Sequence, residues 1–115
     1  MGYRSQVVMA VSPRVLGDLL TALSANKEAF QLFQQGLEEG KKNYEESGDV
    51  LLVWPYIKWY AGYPDVDVFD KFVETMIDEG HDEEYRFVRV GEEADDIFCV
   101  GGYALDIYPS TSIVY

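Results

Sequence analysis

Residues 3–11, YRSQVVMAV, form a largely apolar, β-rich run that stops at Ser12-Pro13, and they predict a first strand. The Ser-Pro pair predicts a helix start, with Ser12 as N-cap and Pro13 at the first helical position. Apolar residues then recur at Val15, Leu16, Leu19, Leu20 and Leu23, the spacing of one helix face, and the pattern fades near Ser24-Ala25-Asn26. A second helical stretch carries Ala29, Phe30, Phe33 and Leu37 and stops by Gly40; periodicity alone leaves open whether it continues the first. Residues 41–46, KKNYEE, a turn at Gly48 and the run VLLVWPYIKW over 50–59 suggest a hairpin with its second arm the stronger strand. Pro55 has no N–H to donate, so it belongs on an edge or at a bulge.

Gly62 and Pro64 break the chain, and a helix is expected from Pro64 or Asp65 to Glu79. Its stripe is Val66, Phe69, Phe72, Val73, Met76 and Ile77, with Gly80 as its stop. EYRFVRVG, 84–91, alternates as a strand does; EEAD turns the chain and DIFCVGG, 96–102, returns it. Residues 103–109 and 111–115 read as further β segments. The order β-α-β-β-α-β-β(-β) over residues 1–115 describes one α+β domain, with helices on one face of a mainly antiparallel sheet. A ferredoxin-like arrangement with C-terminal strand additions is the first topology to test.

Composition adds one strong signal. Twenty-one acids against nine Lys and Arg give a formal charge of −12, and residues 65–96 hold thirteen of those acids with three bases. Such a field repels nucleic acid and anionic membrane and attracts basic proteins, although solubility alone also accounts for it. Cys99 is the single cysteine, so no intramolecular disulfide forms, which fits a reducing compartment. VVMAV is too short for a secretory core and no apolar run reaches membrane-spanning length, so a cytoplasmic protein is expected.

Candidate chemistry is thin. His81, in EGHDEE, reads as a loop histidine, since a metal site needs several ligands. Cys99 in an apolar strand reads as a buried, inert thiol. DVDVFD, 65–70, fails the calcium-loop pattern: Asp70 stands where Gly is required and Met76 where the bidentate Glu is required. GEEADD, 91–96, is a dense acid cluster, read as a solvated hairpin turn in preference to a weak cation site. Gly101-Gly102 reads as a bulge or tight turn, and no phosphate-loop or dinucleotide motif occurs. No catalytic residue, cofactor or metal is therefore assigned, and a non-enzymatic role is expected.

The acidic helix is the most informative element. Asp67, Asp70, Glu74 and Asp78 follow spacings of three, four and four, which puts them along one face, expected to be solvated. Glu79, Asp82, Glu83 and Glu84 extend the row. At about 5–6 Å along the axis between neighbours, such a row imitates a phosphate backbone, or is only a solvated face. IKWYAGYPDV, 57–66, joins the strand to this helix. Trp59 or Ile57 should enter the core and Lys58 point out, with Tyr60 and Tyr63 half exposed around Gly62 as an aromatic clasp.

Three segments, MGYRSQV, IKWYAGYPDV and YRFVRVGEEADDI, together about a quarter of the chain, resemble a group of small acidic proteins encoded by tailed bacteriophages. That resemblance implies a phage accessory protein and supplies no catalytic residues. It leads to the expectation of a protein that binds and inhibits a basic host protein, such as a nucleic-acid-handling or defence complex, without itself binding nucleic acid or membrane. The expected partner-binding residues are Asp67, Asp70, Glu74, Asp78, Glu79, Asp82, Glu83, Glu92, Glu93, Asp95, Asp96, Tyr60 and Tyr63. The alternatives are a small enzyme with an acidic metal site and a structural or assembly protein, monomeric or dimeric through an edge strand.

Overall fold

A computed structural model of the chain describes residues 3–40, 50–93, 95–103, 107–109 and 112–114. The elements run β1 (Ser5–Val11), α1 (Pro13–Leu23), α2 (Lys27–Gly40), β2 (Val50–Ile57), α3 (Pro64–Asp78), β3 (Tyr85–Val90), β4 (Ile97–Val100), β5 (Tyr108–Pro109) and β6 (Ile113–Val114). A 3-10 turn at Asp82–Glu84 leads into β3. The chain is an α+β fold. Its four-stranded sheet has the order β2-β1-β3-β4 with every pair antiparallel, and β5 and β6 form a separate two-stranded ribbon.

Local chemistry starts α1 and stops α3 where expected, and it settles the join between α1 and α2. The Ser12 hydroxyl accepts from the Arg14 N–H, and Pro13 occupies the first turn, where its missing donor costs nothing. α1 and α2 are separate helices: Asn26 Oδ1 accepts from the Ala29 N–H at 2.9 Å, capping a fresh start. α3 ends before Gly80, which takes φ +75°, a region closed to most side chains. The first arm of the expected 41–59 hairpin lies outside the described residues.

β1 shows how the layers form. Val7, Val8, Met9, Ala10 and Val11 are all fully buried, although alternate residues of a strand point to opposite faces. Val7, Met9 and Val11 join the larger core under the three helices, with Leu19, Leu52, Trp54, Phe69, Met76 and Phe87. Val8 and Ala10 join a second, smaller core with Leu51, Val53, Val88, Ile107 and Ile113. The helices cover one face, as expected, and the C-terminal segment covers the other. Arg86 holds it there, donating from Nε to the Ile107 carbonyl at 3.0 Å and from Nη1 to the Gly101 carbonyl at 2.6 Å. The Ile113 N–H donates to Gln6 Oε1 at 2.7 Å.

The ferredoxin-like order does not hold. That arrangement interleaves two β-α-β crossovers, whereas here a single one, β2–α3–β3, spans β1. β1 and β2 are antiparallel neighbours, and the two helices between them return the chain to its starting end. Pro55 meets both expectations. Among the described residues β2 is an edge strand, and its register slips between Ser5↔Ile57 and Val7↔Trp54, leaving an extra residue at Pro55-Tyr56.

The apolar stripes are narrower than their sequence pattern. Leu20, Phe30 and Ile77 lie on the surface, while Leu32 is buried.

Candidate functional site

IKWYAGYPDV seats α3 on the sheet. Trp59 lies just beyond the end of β2 and turns into the core, its ring centroid 5.2 Å from Trp54, 5.8 Å from Phe69 and 5.9 Å from Phe87. An indole N–H buried in that setting needs an acceptor, and Trp59 Nε1 finds Asp70 Oδ1 at 3.0 Å. Gly62, at φ +97°, turns the chain, and its N–H donates to Asp67 Oδ1 at 2.8 Å. Tyr60 and Tyr63 pack at 5.2 Å between centroids, Tyr60 half-buried and Tyr63 exposed. The stretch is a core plug and a helix-seating turn in one.

This corrects the picture of α3 as a uniform row of solvated carboxylates. Asp67, Glu74 and Asp78 are exposed; Asp70 is half-buried and tied to Trp59. Burial raises the Asp70 carboxyl above the ordinary aspartate range, and Asp67 and Glu74 push the same way. The Trp59 hydrogen bond and the Arg89 charge oppose them without prevailing. With Asp70 drawn inward, the exposed row has a gap of seven residues, about 10 Å along the axis, and lacks the even spacing of a phosphate backbone.

Other expected residues are also tied down. Glu84 does not extend the row: it accepts from the Ser12 hydroxyl and lies 3.5 Å from Arg14 Nη1, anchoring the start of α1. Glu79, Asp82 and Glu83 are exposed after α3, with His81 Nε2 3.3 Å from Glu79 Oε1. The GEEADD turn is partly clasped. The Tyr3 hydroxyl donates to Asp96 Oδ2 at 2.6 Å and accepts from the Glu93 N–H at 3.0 Å, and the Arg4 N–H donates to Glu92 Oε2 at 2.7 Å. The Tyr3 N–H reaches the Tyr60 hydroxyl at 2.6 Å, so one tyrosine links the β3–β4 turn to the aromatic clasp. The bond to Asp96 raises the Tyr3 phenol above its ordinary value, because ionisation would remove the proton it donates. Asp96 is half-buried, and Asp95 is exposed. Cys99 is half-buried, not buried as expected, because β4 is the outermost strand among the described residues.

What the structure brings together, and the sequence did not show, is a groove between α3 and the β3–β4 hairpin. It has a volume of about 530 Å³ and is lined by Asp67, Asp70, Lys71, Val73, Glu74 and Ile77 from α3, with Ala61, Arg89 and Phe98. Phe98 is 39% exposed and Ile77 44% exposed. Arg89 lies over the Phe98 ring at 5.5 Å. Helical spacing places Ile77 on the core stripe, and Phe98 and Arg89 are adjacent only through the β3–β4 register. Groove membership was therefore hidden from a pass along the chain.

Among the described residues, no group of three or more His, Cys, Asp or Glu side chains is placed to hold a metal ion, and no helix is long and apolar enough to cross a membrane. Compared with known proteins, the chain matches no protein-family model, no curated protein and no solved structure.

Proposed function

We propose that this chain is a non-enzymatic binding protein that docks a basic surface of a partner protein against α3 and the groove beside it. The observation that carries this reading is an exposed apolar floor, Phe98 and Ile77, flanked by the carboxylates of Asp67, Asp70 and Glu74. An exposed apolar patch with a polar rim marks an interaction surface, and here the rim has a sign. The groove's three acids outnumber Lys71 and Arg89 by one, within a segment of formal charge −10 over residues 65–96. The resemblance to phage accessory proteins would make the partner a host protein, and binding would then act as inhibition by occlusion. The broken carboxylate row favours a basic protein segment over imitation of a nucleic-acid backbone.

The test is affinity capture from bacterial lysate at low and high salt, with the triple variant D67N/E74Q/D78N in parallel. The expected result is capture of a basic protein that weakens as salt rises and is lost in the folded variant. Capture unchanged by both salt and variant would overturn the reading.

A further inference from the structure

The two edges of the sheet are not alike. Among the described residues β2 is one edge, and Pro55 with its bulge interrupts the ladder along it. β4 has no proline, glycine, lysine or bulge within Ile97–Val100, and it has no partner on its outer side among the described residues. The Gly91 N–H bonds to the Asp96 carbonyl, and antiparallel bonding alternates from there. Phe98 and Val100 thus turn their backbone groups toward β3, while Ile97 and Cys99 turn theirs outward. The Ile97 N–H is held by the Asp95 carbonyl. Among the described residues, what remains on the outer edge is the Ile97 carbonyl with the N–H and carbonyl of Cys99. Ile97 is 43% exposed on the face opposite Phe98, so the strand presents apolar surface on both sides.

Resting on the binding role proposed above, we infer that β4 accepts an extended segment of the partner as a fifth strand, with basic residues at alternate positions reaching Asp67 and Glu74. An added strand next to β4 borders the groove. Every second side chain of that strand points to the helical face, with a repeat of about 6.6–6.8 Å. Asp67 and Glu74 are seven residues apart, about 10.5 Å along the α3 axis, an offset from one strand repeat that long lysine or arginine side chains span. The intervening side chains meet the Ile97 face. A second copy of this chain is the other candidate for an open edge, but its −12 charge would bring like fields together at β4, beside the acidic β3–β4 turn.

The test uses an acetylated, amidated heptapeptide of alternating lysine and valine, and the same peptide N-methylated on alternate amides, which removes main-chain donors and keeps the charge. Binding is followed by amide NMR and hydrogen exchange at low salt. The expected result is at least tenfold slower exchange at Cys99 with the first peptide, binding at least tenfold weaker for the N-methylated one, and weaker binding of the first peptide to E74Q. Equal binding of both peptides, with shifts on α3 and no protection at Cys99, would overturn strand addition and leave the acidic binding role standing. Binding indifferent to E74Q, D67N and salt would overturn that role instead. Absence of binding by either peptide, or a dimer that protects Cys99 without peptide, would overturn the inference.

Discussion

Asp70 shows how much one side chain's surroundings matter. Its neighbours Asp67 and Glu74 face solvent, yet Asp70 is held under the Trp59 indole. Because its carboxyl titrates above its unfolded value, the folded state binds the proton more tightly than the unfolded chain does. Its contribution to stability is therefore full below the ordinary aspartate range and is lost as pH rises through the raised value. Asn at this position keeps an oxygen for the Trp59 N–H and carries no charge. Asp70→Asn should be more stable than wild type at pH 7, with the gap closing toward pH 3; thermal melts of both proteins across that range would show it, and a gap independent of pH would contradict it. Gly36 is the second sensitive residue. A Cβ there would lie 2.7 Å from the Trp54 ring, and that ring is fixed because its Nε1 donates to the Leu32 carbonyl at 3.0 Å. Gly36→Ala should cost about 1–3 kcal/mol by overpacking, measured by urea denaturation.

At the scale of elements, the start of α1 is tied to the start of β3. Ser12 caps α1, its N–H donates to the Glu84 carbonyl at 3.0 Å, and its hydroxyl donates to the Glu84 carboxylate. Removing that hydroxyl loses the cap and leaves a half-buried carboxylate short of a donor. Ser12→Ala should destabilise by about 0.5–2 kcal/mol, toward the upper end because two partners are lost, and its chemical-denaturation midpoint is the measurement. The strand and helix boundaries were legible because they rest on short-range chemistry: Ser-Pro before α1, Gly80 after α3, Pro55 at a bulge. Strand order was not legible, because β1 pairs with residues 50–57 and 85–90 through contacts that no local pattern encodes.

For the whole molecule, the second core decides the architecture. The sheet is closed on its far side by Ile107, fully buried, and Ile113, with Arg86 as the clamp. Ile107→Ala should cost about 2–5 kcal/mol, as truncation of a fully buried aliphatic side chain does. If the C-terminal segment were a dispensable flap, the loss in a denaturation series would stay below about 0.5 kcal/mol. The net charge of −12 acts on the same scale. Self-repulsion in the folded state weakens as salt screens it over about 8–10 Å, so the melting temperature should rise on adding sodium chloride from low ionic strength to about 0.15 M.

The amino-acid sequence by itself determined the α+β class, the start of α1, the stop of α3, the apolar run of β1 and the concentration of acid in residues 65–96. Each depends on residues near one another in the chain, where periodicity, capping and charge can be read directly. Only the tertiary structure decided that Asp70 turns inward, that Glu84 and Asp96 are bound to Ser12 and Tyr3, and that Ile77 and Phe98 share one groove. Those outcomes depend on which strands pair and on where a buried indole N–H or a tyrosine hydroxyl finds its acceptor, between residues as much as 93 apart in the chain.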